Sequence, residues 1–497
     1  MGLIRFAIHP VTLLNDWPEV HAGYLTGADG RVFPTRIEVV GNIVGCRRTS
    51  SESAKFHVAW RVKDFGYLVI PTASLSEREQ PYLLAVELAR GKIVQVRNQA
   101  AQWELSGLKI PAEFNVHHRA AHRAFSRAAS SQEFPEESCR LADEAIYQAC
   151  LAAEILTRSY AAQSLAGRLQ RFGTLSFSIG CDLHETLPPP ATHDVFDDLF
   201  NSTSVSVPWR VIEAVEGEYN WELTDRQLEW CESQRMMVRG GPLLDLGPDS
   251  LPTWLERWQN DLLNLQSFVC DFVETAISRY VGRIRVWEIC TRMNTGGALT
   301  LNEEHRLALT ARVLDVARQV DEEAQLTIRI DQPWGDYQSK GQHRLSPLQI
   351  VDALVRSGVG LSGVTLELAF GFRQIGSARR DLLECSRLID LWSLLDVPIY
   401  VRLVCPSSSA NDRYALPTIA TNPRVWSGPC DEENQANWTD QLIELLVAKP
   451  RVAGVFFPHF SDGVPHEFPN AGLLRPDNSP KPVSERIKAR QNHRRKM

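Results

Sequence analysis

Apolar positions along this chain of 497 residues change their period twice, and the changes mark out three regions. Over residues 1–80 the runs are short and rich in β-branched and aromatic residues, with Arg36 to Val44 and Phe56 to Val62 bounded by Gly, Asp and Ser clusters. Phe56, Val58, Trp60 and Val62 alternate with polar or small residues, so one face of that strand is expected to be buried in a small, sandwich-like β domain. From Pro81 the spacing becomes helical. Leu84, Leu88, Ile93, Val96, Ala100 and Trp103 recur on either side of Gly91, and a second helix is expected from about Phe114 to Ala129. A third starts at Pro135 with Glu136 and Glu137 in its first turn and carries Ala142, Ile146, Ala149, Ala153, Leu156 and Tyr160 on one stripe. Because that stripe extends toward Leu169 and delivers the chain to the next region, residues 81–172 read as a packed helical bridge.

From Phe172 onward short apolar runs alternate with amphipathic segments, the pattern of βαβ units around a parallel sheet. Strands are predicted near Leu175 to Gly180, Thr203 to Val207, Met236 to Leu244, Ile284 to Cys290, Gln325 to Ile330, Gly363 to Leu368, Pro398 to Leu403 and Val452 to Phe457. Eight such units suit an α/β fold of the (β/α)8 TIM-barrel class over residues 173–490, followed by a basic tail at 491–497. No glycine-rich phosphate loop follows any of the strands, which argues against a doubly wound nucleotide-binding sheet.

Composition narrows the function classes. A net charge of −7 built from interspersed acids and bases announces no duplex-binding surface, and the one basic run, Lys488, Arg490, Arg494, Arg495 and Lys496, reads as a solvated terminus. No run approaches the length of a membrane span, and the first residues lack a signal-like apolar core. Ten scattered cysteines without a C-x-x-C pair fit neither a zinc knuckle nor a redox motif and make a reducing cytoplasm the expected setting. No cofactor, metal, nucleic-acid or membrane partner is expected, and the oligomeric state is left open.

Several segments, in order, resemble glycoside hydrolase family 10, the xylanase family. Phe200-Asn201, Trp209, Glu213, Gly217, Tyr219, Asn220 and Trp221 are similar to the family's F-N and K-W-x-x-x-x-P-x-x-G-x-Y-N-W stretch. Met236 to Gly241 resembles M-x-V-R-G-H, and Leu251-Pro252-Thr253-Trp254 resembles L-P-x-W. Val286 to Arg292 stands where the family has W-D-V-V-N-E, Gly363 to Glu367 resembles G-I-G-L-Q, Val397 to Leu403 resembles V-P-I-x-x-T-E-L, and Lys481-Pro482 resembles the terminal K-P-A. The resemblance covers the barrel and leaves residues 1–172 unexplained. It implies that Arg292 occupies the acid/base position and Arg402 the nucleophile position of a retaining glycosidase, which needs two carboxyl groups there. Guanidinium stays protonated and has no lone pair to offer, so it performs neither task.

Strand parity then assigns a mouth. Glu288, Cys290 and Arg292 are expected to face the barrel axis, as are Arg329 and Asp331, Glu367 and Arg402, with Asp245 and His459 near the ends of strands three and eight. Two readings of this group stand side by side. One is a self-neutralising ion network in a barrel that has lost its catalytic role. The other is a pocket in which Arg292, Arg329, Arg402 and His459 hold a carbohydrate, with guanidinium suited to an anionic group on it. The function implied is that of a carbohydrate-interacting protein with a β-1,4-glycan or xylan-type ligand, degenerate as a retaining glycosidase. The alternative is a glycosyl hydrolase using relocated carboxylates among Asp245, Glu288, Asp331 and Glu367. Cys290 is expected to be a buried, inert thiol, and Asp182, His184, His193 and Asp194, although of metal-ligating type, are expected to be polar loop residues.

Overall fold

Eight short strands open the chain: β1 (Gly2–Ala7), β2 (Tyr24–Thr26), β3 (Val32–Phe33), β4 (Arg36–Val40), β5 (Ile43–Arg48), β6 (Lys55–Val62), β7 (Gly66–Pro71) and β8 (Tyr82–Leu83). The computed structural model describes residues 2–341 and 343–496, with side chains described as far as Gln491 at the C-terminal end. The strands form two sheets, ordered β4-β5-β1-β8 and β3-β2-β6-β7, whose apolar faces share one core. Phe6 of one sheet stacks on Phe56 of the other at 5.1 Å. The run from Arg36 to Val44 is a hairpin rather than a single strand, because Gly41 adopts φ 60° and the chain turns at Gly41-Asn42 so that Val40 pairs with Ile43.

Three long helices follow, α1 (Leu84–Leu105), α2 (Ala112–Ser130) and α3 (Pro135–Phe172). Gly91 interrupts the apolar stripe of α1 for a steric reason: a β-carbon there would lie 2.1 Å from the Pro71 carbonyl at the end of β7. Ala121, Ala124 and Ala128 of α2 and Ala142, Ala145 and Ala149 of α3 are buried in the core beneath the sheets, and side chains this small let the helices approach closely.

The remaining strands close a parallel barrel: β9 (Ser178–Asp182), β10 (Ser202–Val205), β11 (Met237–Gly240), β12 (Leu244–Asp245), β13 (Val286–Thr291), β14 (Gln325–Ile330), β15 (Leu361–Ala369), β16 (Ile399–Val404) and β17 (Val452–Phe457). The segment β11 plus β12 supplies one of the eight staves, both parts pairing with β13, and β17 pairs with β9 to complete the ring. The outward-facing apolar side chains pack against the surrounding helices in a core running from Phe177 to Ile487. The C-terminal helix, Pro482–Lys496, seals the first staves. Lys488 pairs with Asp198 at 2.8 Å, and Arg490 pairs with Asp440 and, at 3.1 Å, with Glu444, so these two bases are held by acids rather than free in solvent. The side chains of Arg494, Arg495 and Lys496 lie outside the described residues. No helix among the described residues is long and apolar enough to cross a membrane.

The N-terminal sheets dock beside the barrel mouth, against the loops that leave the C-terminal ends of β14, β15 and β16. Thr35 N–H donates to Ser339 O at 3.0 Å, and Val69 N–H to Arg379 O at 2.9 Å. Arg424 reaches Tyr67 Oη at 2.5 Å and Asp16 at 2.6 Å. Arg380, 1% exposed, donates to both carboxylate oxygens of Asp336 at 2.8 and 2.7 Å and to Tyr24 Oη at 3.1 Å.

Candidate active site

The inward side chains of the barrel form two levels. Deeper in, Arg239 extends from β11 across the axis, its guanidinium 4.2 Å from the Tyr400 ring centre and 4.6 Å from that of Phe456. Its Nη2 also donates to Thr327 and Thr365 hydroxyls, each at 3.2 Å. Gly180 leaves room for this arrangement, since a β-carbon there would collide with the Phe456 ring.

Above this level lies a continuous chain of ion pairs. Glu288 of β13 forms an ion pair with Arg329 Nη2 at 2.8 Å and stands 4.0 Å from Arg239. Glu367 of β15 lies 3.9 Å from Arg329 and 2.5 Å from Arg402 Nη1. Arg402, from β16, also bonds Asp182 at 3.0 Å through Nε and approaches Glu467 at 3.5 Å. Glu467 pairs in turn with Arg292, whose guanidinium also faces Asp331 at 3.6 Å and Asp245 at 3.7 Å. Four guanidiniums (Arg239, Arg292, Arg329, Arg402) thus meet six carboxyl groups (Asp182, Asp245, Glu288, Asp331, Glu367, Glu467).

Burial and the neighbouring charges together decide how these groups titrate. Burial raises the Asp331 carboxyl and the neighbouring Glu367 charge adds to this, outweighing Arg292 and Arg329, so that it titrates at about 7. Its Oδ1 is buried without a hydrogen-bond partner, while Oδ2 accepts from Thr295 at 3.3 Å. Asp182 and Glu467 go the other way: burial pushes both up, but Arg402 beside Asp182 and Arg292 with Arg402 beside Glu467 bring them below the ordinary carboxylate range. Burial also opposes the charge of Arg402, yet its carboxylates hold it well above the usual guanidinium value.

Parity places Glu288, Arg329, Glu367 and Arg402 in the mouth, and a bulge changes the outcome for Cys290. The register between β13 and β14 slips between Glu288 and Cys290, so Cys290 pairs with the outward Ile328 and Thr291 pairs with the inward Arg329. Cys290 therefore faces the helix layer, where Thr310 Oγ1 lies 3.6 Å from its sulfur and burial pushes the thiol up to about 12. Arg292 returns to the mouth because its backbone turns to φ 58°, and Gly247 makes space for it: a β-carbon there would lie 2.2 Å from Arg292 Nη1.

His459 is buried at 2% exposure and pairs with Asp462 at 3.2 Å rather than with any of the four mouth guanidiniums, its ring stacked on His466 at 4.1 Å. Burial lowers its basicity to about 3. It lines a cavity of about 30 Å³ with Asp182 and His184, roughly the space of one water. Among the described residues, His459, Asp462 and His466 bring ligand-type atoms within 4.8 Å of one another, whereas Asp182, His184, His193 and Asp194 form no such group. The Lys481 ammonium already neutralises Asp462 at 2.5 Å, and His466 Nε2 faces Asp412 at 2.9 Å, so this group is a closed polar core. His193 bonds the Pro188 carbonyl at 3.0 Å on the outer surface.

Three members of the mouth are not among the sequence-derived candidates: Arg239, Asp182 as an ion-pair partner, and Glu467. Parity along Met237–Gly240 marks Arg239. Nothing in the local pattern marks Glu467, which comes from the long loop after β17.

Residues 175–388 match the family model described as glycosyl hydrolase family 10. Similar curated proteins include endo-1,4-beta-xylanase 3 of Hypocrea jecorina, 26% identical over 173 residues that make up 34% of this chain and 49% of that protein. Endo-1,4-beta-xylanase 5 of Arabidopsis thaliana is 27% identical over 119 residues, 23% of this chain and 20% of that protein. The chain thus aligns with between a fifth and a half of the length of these relatives. The crystal structure of native xylanase 10B from Thermotoga maritima superposes with a TM-score of 0.50 at 16% identity, covering 68% of this chain and 98% of that one, a likeness of fold. Over residues 175–388, then, the chain is similar to glycosyl hydrolase family 10, and the barrel has the fold of its xylanases.

Proposed function

We propose that this barrel binds a xylan-type β-1,4-glycan at its mouth without cleaving it by the retaining route, with Arg292 and Arg402 standing where a retaining enzyme of the family keeps its acid/base and its nucleophile. The observation that carries this reading is the clamp on Arg402: a guanidinium 3% exposed, held by Asp182, Glu367 and Glu467 together. Retaining cleavage needs one carboxylate free to attack and one carboxyl free to protonate, about 5 to 5.5 Å apart. Here the carboxylates nearest the axis are engaged in neutralising fixed positive charge, and releasing one would leave a buried cation undercompensated. Relatives named endo-1,4-beta-xylanases support the class of ligand. With six carboxyl groups on four guanidiniums, the mouth favours a neutral glycan, whose hydroxyls donate to carboxylates, over the acidic one that the arginines taken alone suggest. Calorimetric titration with xylohexaose and with a glucuronic-acid-substituted xylo-oligosaccharide tests this. Saturable binding of the neutral chain, weaker for the acidic one, is the expected result, and no binding of either removes the glycan reading.

A second reading rests on Asp331, the one mouth carboxyl raised to about 7 and holding an unpartnered oxygen. A group so placed serves as a general acid or base near neutrality, with Asp245 or Glu367 as the second carboxylate of a relocated pair. Turnover of an aryl β-xylobioside that disappears in Asp331→Asn favours this reading over the first.

A further inference from the structure

Away from the barrel, α2 carries His117, His118 and His122 on a partly exposed face. Residues four apart lie on the same side of a helix, one turn above the other. Here the two rings stand at 90° to each other, and their Nε2 atoms converge to 3.3 Å. The His118 ring is fixed from below by stacking on Phe114 at 5.1 Å. His117 turns away, its Nδ1 bonded to Gln148 of α3 at 2.8 Å.

Two imidazole nitrogens at this separation either share one proton or share one ion. With metal–nitrogen bonds of about 2.0–2.1 Å, two ligands on one ion are about 3.0 Å apart at a right angle and about 3.4 Å apart at a tetrahedral angle. The observed gap falls between these limits. We propose that His118 and His122 form a surface site for a divalent transition ion of the zinc or copper class, binding through both Nε2 atoms and leaving the remaining coordination positions to water or to a second ligand. Imidazole nitrogen suits these ions and not calcium or magnesium, which take oxygen ligands. Burial lowers the basicity of both rings, and the guanidinium of Arg97 on α1 adds to this. With two protein ligands, the affinity lies below that of a closed four-ligand site.

The full chain without an affinity tag, titrated with Zn2+ by calorimetry and with Cu2+ by electron paramagnetic resonance at pH 7.5, tests the site. One saturable equivalent is expected, with a copper spectrum showing nitrogen ligation. His118→Ala and, separately, His122→Gln should each weaken binding by about tenfold or more, no less than the loss typical of groups one shell further out. His117→Ala should bind as the parent does. Circular dichroism of each variant checks that α2 remains helical. Equal affinity in parent, His118→Ala and His122→Gln, or no saturable binding to the parent, overturns the proposal.

Discussion

Two buried arginines, one at the seam with the N-terminal sheets and one in the barrel mouth, show how differently one charged group is used. Arg380, at the seam, is matched to a single carboxylate, donating to both oxygens of Asp336, with Tyr24 Oη and the Trp334 ring completing its surroundings. Arg402, at the mouth, is shared among Asp182, Glu367 and Glu467, and Glu467 is itself shared with Arg292. A one-to-one pair of this kind pins two surfaces together and leaves nothing over. The shared network holds more acid than base, and burial, with the neighbouring Glu367 charge, leaves Asp331 holding its proton to about pH 7. The seam is thus built for attachment, and the mouth retains a titrating group with an unpartnered acceptor, Asp331 Oδ1, features by which a site differs from a structural pin.

Removing each guanidinium is the strongest way to break this comparison. Arg402→Met and Arg380→Met are each expected to cost about 3–5 kcal/mol in denaturant unfolding at pH 7, as for other buried charges stripped of their partner. The two losses should respond differently to rescue. Adding Asp336→Asn to Arg380→Met should recover most of the loss, whereas adding Glu367→Gln to Arg402→Met should recover only part, because Asp182 and Glu467 remain unpaired. Equal rescue at both places removes the distinction between pin and network.

Tyr24→Phe deletes one hydrogen bond to a charged donor at the seam and should cost about 1.5–3 kcal/mol without altering any property of the mouth. Asp331→Asn acts in the opposite direction. A carboxyl raised in the fold retains its proton where the unfolded chain has released it, so the native protein loses stability as pH rises from the ordinary carboxylate range to about 7. Asp331→Asn should flatten that decline and gain on the order of 1 kcal/mol at pH 8, read from thermal unfolding across pH 5 to 8. The smallest effect concerns Cys290: in the folded protein it should resist alkylation while the half-buried Cys270 and Cys430 react first, as mass spectrometry of labelled peptides would show.

The barrel was legible because its strands are apolar on the helix side at every turn, and because Trp209, Tyr219 and Trp221, Met236 to Gly240 and Leu251 to Trp254 retain a family spacing. Parity along single strands also located Glu288, Arg329, Glu367 and Arg402. What escaped depends on contacts distant in sequence. The bulge after Glu288 reverses the facing of Cys290, and no residue type announces it. Glu467 reaches the mouth only because Asp462, Lys481 and Asp412 fold its loop back over β17. His459, placed at the mouth by its position at the strand end, belongs instead to that loop's buried support. The docking of the N-terminal sheets beside the mouth depends on Tyr24, Asp336 and Arg380, which lie in three separate regions of the sequence and show no joint pattern.

On the function proposed above, the carboxylates around Arg402 neutralise charge and do not cleave sugar. Steady-state release of the aryl group from an aryl β-xylobioside, followed from pH 4 to 9 for the parent, Glu367→Gln and Asp331→Asn, tests it most directly. Background rates are expected for all three at every pH. Parent turnover that follows a group titrating near 7 and vanishes in either variant would contradict it.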